Sequence, residues 1–190
     1  MVDHERRRAE LIDVVWQLIV EDGLPGITIR RVAERSGWSS GAVRHYLPTR
    51  EAMLDAAAAQ GGAAIEQRVR AVPTDSTPRQ ALVGVLAAVL PDDERMRQAS
   101  RVWLAFVGQS ASDRDLAERQ GIVYSDLNEL LVRLLDWAGT EGRAVAAGPV
   151  ASATQLQALV DGLTVHVLLD QVSVESARQV LQNAVDAVLG

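Results

Sequence analysis

Residues Ile27–Glu51 read ITIRRVAERSGWSSGAVRHYLPTRE, and this stretch decides the fold. Ala33, Gly37 and Val43 fall at relative offsets of zero, four and ten. That spacing predicts two short helices crossing at a steep angle. A small residue lets them approach, a glycine turns the chain, and an apolar residue plugs the second helix against the first. A helix pair of this shape can present its second member to the major groove of DNA.

Working outward, helical periodicity is present almost throughout and strand signals are nearly absent. Ile12, Val15, Trp16, Ile19 and Val20 place an apolar stripe on a first helix from about Glu5 to Asp22, ended by Gly23, Pro25 and Gly26. Thr28 is a good N-cap for a helix over Ile29–Ser36, and Ser39 for one over Ser40–Tyr46 closed by Leu47-Pro48. Thr49 opens a fourth helix reaching about Ala71. The proline-flanked stretch 73–78 starts a fifth, to Leu90, and Pro91-Asp92-Asp93 a sixth, through Val107. A seventh runs from Ser112 or Asp113 to about Trp137. After a loop over 139–149, an eighth spans Ser152 to about Asp170 and a ninth Ser173–Leu189. The expected architecture is all-α with about nine helices. Residues 1–50 form a three-helix domain containing a helix-turn-helix, and residues 51–190 a larger helical bundle.

A chain of 190 residues that is 48% hydrophobic can bury a substantial core. It has no cysteine, which removes disulfides, thiolate metal sites and cysteine nucleophiles together. The charged start MVDHERRRAE does not resemble a signal peptide, and no run approaches eighteen apolar residues. The reading is therefore cytoplasmic, with no membrane partner. Net charge is −6 and unevenly divided. Residues 1–50 carry eight Arg against seven acids, whereas residues 51–190 carry eleven against eighteen. Only the N-terminal segment does not repel DNA. Every basic residue is arginine, a pattern that reflects genome composition as readily as function.

On the second helix of the pair, Val43 and Leu47 face inward, while Ser40, Arg44 and His45 fall outside. Gly41 and Ala42 are small enough for the backbone to approach a phosphate. Arg44 can donate two hydrogen bonds to guanine O6 and N7, worth about 1–3 kcal/mol of discrimination. Thr28, Ser39, Ser40 and Thr49 offer hydroxyls near helix N-termini, which already favour anions. Tyr46 and Arg50 suit phosphate contacts at the groove edge. His45 fits a DNA contact better than a ligand or base, because no acid lies within helical reach. Arg6-Arg7-Arg8 reads either as a basic arm or as a solvated helix start.

The segment from Glu5 to about Leu54 resembles the DNA-binding domain of the TetR family of bacterial transcriptional regulators. The pieces that carry the resemblance are TIRRVAERSG and SSGAVRHYLPTREAML, where the family usually writes S-x-G-x-L-Y-x-H-F-x-x-K-E-x-L. It implies that Thr28 opens the second helix and that Arg30 stands where some members contact a base. Ser39, Ser40 and Gly41 begin the recognition helix, Tyr46 grips phosphate, and Arg50 takes the place of a lysine. Arg44 replaces the usual tyrosine, implying a different operator preference. Leu47 replaces phenylalanine, a tolerable change of core volume.

The resemblance further implies a C-terminal domain that dimerises and binds an effector. Val123, Leu127, Leu130, Leu131, Leu134 and Leu135 form one apolar stripe, and Leu156, Leu159, Val160, Leu163 and Val167 another. Two such helices per subunit can build an intersubunit four-helix bundle, or the stripes can fill the subunit's own core. Trp103, Phe106, Gln109, Tyr124, His166 and Asp170 are the large or polar residues on predicted inner faces, serving as an effector pocket or as ordinary core. His166 and Asp170 would lie one helical turn apart, so the carboxylate would hold the imidazole charged or fix its tautomer. The acidic balance favours a neutral or cationic effector.

The function expected is a homodimeric repressor of a palindromic double-stranded DNA operator, released by a small molecule, with no cofactor or metal. The alternatives are a constitutive DNA-binding regulator and an all-helical enzyme. For the latter, His4 in the expected tail, His45 and His166 cannot assemble a catalytic set.

Overall fold

A computed structural model describes residues 2–73 and 75–190. Among the described residues there are nine α-helices, one 3₁₀ turn at Leu24–Gly26 and no strand. The helices are α1 (Val2–Asp22), α2 (Ile29–Ser36), α3 (Ser40–Tyr46), α4 (Arg50–Arg70), α5 (Pro78–Val89), α6 (Glu94–Ser110), α7 (Arg114–Thr140), α8 (Pro149–Leu168) and α9 (Val174–Leu189).

Side-chain caps explain most of the starts. Thr28 Oγ1 accepts from the Arg31 N–H at 3.1 Å, Ser39 Oγ from Ala42 at 3.1 Å and Thr49 Oγ1 from Ala52 at 3.0 Å. Asp93, Asp113 and Ser173 cap α6, α7 and α9 in the same way. Each cap is worth about 1 kcal/mol because it satisfies an N–H that the helix cannot. Thr77 and Gln80 form a reciprocal capping box at α5. Helix α8 begins at Pro149, not Ser152: Gly148 takes φ 79° at its N-cap and a proline follows, where no N–H is required. Ser152 is instead fully buried.

The core falls into two apolar clusters. In the first, Leu11, Ile12, Val15, Trp16, Leu18 and Ile19 of α1 meet α2, α3, the first half of α4, and Ala99, Val102 and Phe106 of α6. Trp16 lies at its centre, and its indole N–H donates to the Ala57 carbonyl at 2.9 Å. Val20, expected in the stripe, is 41% exposed, because the buried face of α1 continues through Leu18 and Ile19. The second cluster is built by α5, α7, α8 and α9. Leu131, Leu135, Leu156, Val160, Leu163 and Val167 are buried within it and Leu127, Leu130, Leu134 and Leu159 pack against it, so most of both sequence-predicted stripes faces the subunit's own core, whereas Val123 at the start of the first is 52% exposed. Each such side chain contributes roughly 1.5–3 kcal/mol on leaving water.

Helix α4 joins the clusters. Met53–Ala57 lie in the first, while Val69, with Val72 just beyond the helix end, packs on the second. Arg68 near its C-terminus donates to the Leu90 carbonyl at 3.3 Å and to Asp93 at 2.7 Å, and pairs with Asp92. Arg178 of α9 also pairs with Asp92. The end of α4 is thus tied to the α5–α6 turn and to α9. Among the described residues, no helix is long and apolar enough to cross a membrane.

Candidate nucleic-acid interface and effector region

Gly37 ends α2 with φ 73° in the left-handed region and turns the chain toward α3, as glycine permits without strain. Val32 and Ala33 of α2 meet Val43 and Leu47 in the first cluster, and Val43 is completely buried. That burial fixes the rotation of α3. Ser40, Gly41, Arg44 and His45 are consequently exposed, and α3 carries no acid. Arg44 has no hydrogen bond or ion pair among the described residues, so its guanidinium stands ready for an external acceptor. Thr28, Ser39 and Thr49 each accept from a backbone N–H. That contact orients the oxygen and leaves the hydroxyl hydrogen as a donor.

Tyr46 is half-buried, and its ring lies 4.6 Å from that of His4 and 5.6 Å from that of Trp38. His45 lies edge-on to both Tyr46 and His4, at 5.0 and 5.7 Å. His4 therefore belongs to α1 and to this aromatic cluster, correcting its expected place in a tail. Arg6, Arg7 and Arg8 are likewise exposed residues of α1 rather than an extended arm. Arg30 is 87% exposed and pairs with Glu34 at 2.8 Å, and this hydrogen bond holds the Glu34 carboxyl below its ordinary range. Arg31 pairs with Asp22 at 3.0 Å and Arg35 with Glu21, lashing α2 to the end of α1. Arg50 is half-buried, and its Nη2 donates to the Leu24 carbonyl at 2.8 Å. It clamps α4 to the 3₁₀ turn as well as standing at the edge of the α3 face.

The residues singled out in the second half scatter. Phe106 is 3% exposed within the first cluster and is core. Gln109 donates to Ser112 Oγ at 3.4 Å, at the end of α6. His166 and Asp170 do not form the expected pair. Helix α8 stops at Leu168, Asp170 takes φ 54°, and its carboxylate lies 3.9 Å from Arg97 Nη1 instead. Both are exposed. Trp103 and Tyr124 do converge, on a residue the sequence reading did not single out. The Trp103 indole is within hydrogen-bonding reach of the Tyr124 oxygen, and the Tyr124 hydroxyl of Asp161. Burial pushes the Asp161 carboxyl up to about 6, opposed by the Tyr124 hydrogen bond. Burial and the adjoining Asp161 charge push Tyr124 up to about 12. None of the six predicted pocket residues lines the 230 Å³ apolar crevice beside Val69, Val85, Leu134 and Trp137. None lines the open 640 Å³ groove beside Arg68, Gln80 and Asp92 either.

Residues 78–190 match the family described as BetI-type transcriptional repressor, C-terminal. The chain is 30% identical over 180 residues to the HTH-type transcriptional regulator PksA of Bacillus subtilis, covering 93% of this chain and 86% of that protein. This chain is a TetR-family transcriptional regulator. The HTH-type regulator BetI of Burkholderia mallei is 36% identical to this regulator over 162 residues, 84% of this chain and 80% of that one. A transcriptional regulator of Saccharomonospora viridis, solved in complex with choline, superposes on this TetR-family fold with a TM-score of 0.83. It is 22% identical, and the alignment covers 96% of each chain.

In this regulator, what the sequence reading missed differs in how visible it was. Asp161 is the sole Asp, Glu, Lys or Arg of the 20-residue α8, a signal legible from composition alone. Trp38 directly precedes the cap of α3 and was legible as a local neighbour. His4 was not, since its contact with Tyr46 joins distant parts of the chain.

Proposed function

We propose that this TetR-family regulator acts in the cytoplasm as a homodimer on a palindromic operator. Residues 1–50 read the DNA, and residues 51–190 dimerise and take up a small-molecule effector that releases it. The observation that carries the reading is the outward face of α3: Ser40, Gly41, Arg44 and His45 exposed without an acid, over a buried Val43. Arg44 donates to a base edge, and Arg30 and His45 add contacts in the groove. Thr28, Ser39, Thr49, Tyr46 and Arg50 hold phosphates. Two recognition helices about 34 Å apart would meet successive major grooves.

Dimerisation is supported by the face of α8 that the subunit leaves uncovered. Ala151, Thr154, Ala158 and Gly162 recur there at helical spacing, with Val150 66% and Leu169 63% exposed at its ends. Small residues let a second helix pair approach closely, as a bundle across a two-fold axis requires. The choline complex of the Saccharomonospora viridis regulator supports an effector in a fold of this kind. A coupling of about 1–3 kcal/mol between effector and DNA suffices to relieve repression several-fold. Of the three histidines, His4 and His45 belong to the aromatic cluster beside α3, and His166 is exposed on α8.

The test is fluorescence anisotropy with a duplex selected from a random library by the wild-type protein. The expected result is two protomers per palindrome, a steep salt dependence, and weaker binding on adding an effector from a metabolite panel. Failure to enrich any sequence would remove the operator reading. Enrichment without any weakening by small molecules would leave a constitutive regulator.

A further inference from the structure

His4, in the first turn of α1, and His45, in the last turn of α3, meet edge-on with ring centroids 5.7 Å apart. Both are exposed, and both lie against the Tyr46 ring, at 4.6 and 5.0 Å. Trp38, in the turn before α3, meets the same ring at 5.6 Å. Neither imidazole has a carboxylate partner among the described residues. On α3, Arg44 adjoins His45 and there is no acid. On α1, Arg7 and Arg8 follow His4 by one turn, and Glu5 is next to it in sequence. The other charges around the reader are engaged: Arg30 with Glu34, Arg31 with Asp22, Arg35 with Glu21, Arg50 with the Leu24 carbonyl, and Glu51 with its own N–H and Thr49. Histidine is the side chain that ordinarily changes charge between pH 5 and 8. In the free protein each imidazole faces a second imidazole and arginines, which oppose a proton. A phosphate held by Tyr46 would lie within about a Debye length of both rings, ~10 Å at 0.1 M salt, and would reverse the sign of that field.

We propose that the His4–His45 pair takes up a proton when this regulator engages DNA, so that operator affinity rises as pH falls from 8 to 6, and that His4 acts from α1 as a positioning residue for Tyr46 and His45. This inference rests on the DNA-reading role given to α3 above. The complex holds more protons than the free protein, so lowering the pH favours the complex. The two rings interact, so the proton belongs to the pair and not to either residue. A tenfold gain in the pair's proton affinity on DNA strengthens binding about fivefold per half-site across this range. Position and charge are separable in His4, because its contact with Tyr46 is made by a ring and its response to pH by a ring nitrogen.

The full-length protein is titrated with the selected duplex at pH 6, 7 and 8 and constant ionic strength, followed by anisotropy. Calorimetry at pH 7.2 in PIPES and in Tris, whose ionisation enthalpies differ, counts the protons directly. Wild type is expected to bind about fivefold more tightly per half-site at pH 6 than at pH 8, with uptake of about half a proton or more per protomer. His4→Phe keeps a ring against Tyr46 but cannot take a proton. It should bind as wild type does at pH 8 and lose at least about half of the pH dependence. His4→Ala should bind more weakly than His4→Phe at every pH, because Tyr46 loses its neighbour. The double variant His4→Phe with His45→Gln should be flat from pH 6 to 8, with a heat independent of the buffer. A flat wild-type profile would overturn the proton coupling, and so would a wild-type slope retained by the double variant. Equal binding by His4→Ala and His4→Phe at every pH would overturn the positioning role. A wild-type protein that selects no duplex at any of the three pH values would overturn the DNA-reading role itself, and this inference with it.

Discussion

Replacing Arg44 and Arg50 separately by alanine distinguishes a base-reading arginine from a clamping one. The Arg44 guanidinium is exposed and without a partner among the described residues, so its removal should change folding stability by less than about 0.5 kcal/mol. Its loss from a bidentate contact with guanine costs about 1–3 kcal/mol per half-site, or about 5- to 150-fold in affinity. That loss should be confined to the selected duplex and to one base position. Arg50 is different, because its N–H donates to the Leu24 carbonyl at 2.8 Å. That carbonyl also accepts from the Ile27 N–H at 3.2 Å, so it is not orphaned when Arg50 is removed. The cost is then that of one half-exposed, charge-assisted hydrogen bond, about 1 kcal/mol. In a chain of this size it lowers Tm by about 2–4 °C. On DNA, Arg50→Ala should weaken all sequences alike and flatten the salt slope by about one unit per half-site. The assay is anisotropy on selected and scrambled duplexes across a salt series, with thermal melts of the same preparations. Equal loss on every sequence for both variants, or equal destabilisation by both, would refute the roles assigned here.

Gly37→Ala should cost about 1–2 kcal/mol in urea melts, because φ 73° strains an L-residue although a methyl there meets no atom within 4 Å. Leu156→Ala, at a site with no exposure in the second cluster, should cost about 2–5 kcal/mol by the same measurement. Asp161→Asn should raise Tm near neutral pH. The native carboxyl titrates at about 6 against an ordinary 3.8, so between these values the native state holds more protons than the unfolded chain and wild-type stability falls as pH rises. The gain of the Asn variant should therefore be full above about pH 6 and largely gone by about pH 4, as read from melts at both ends. Asp92→Ala leaves Arg178 without its partner and Arg68 with only Asp93 and backbone acceptors, and should cost about 1–3 kcal/mol in chemical denaturation.

The helix starts were legible because their signals are local. Thr28, Ser39, Thr49 and Ser173 sit where a short polar side chain can reach the N–H three residues on. The rotation of α3 was legible for the same reason, since Val43 and Leu47 lie one turn apart and must share a face. Where local signals compete, reading by periodicity slipped. Val20 continues the apolar stripe on paper but faces water, and Asp170 appears one turn beyond His166 although the helix ends before it.

What the sequence by itself determined is the succession of helices, the face that α3 turns outward and the family to which the chain belongs. The first two follow from spacings of a few residues within one turn or one cap, and the family from the resemblance carried by TIRRVAERSG and SSGAVRHYLPTREAML. Only the tertiary structure decided which side chains meet across the chain: His4 over Tyr46, Arg50 on the Leu24 carbonyl, Arg68 and Arg178 on Asp92, and Asp161 with no cation paired to it among the described residues. Periodicity states which residues share a face but not what that face meets. The charge balance of a buried carboxylate is set by what packs against it, and that is established only when the helices come together.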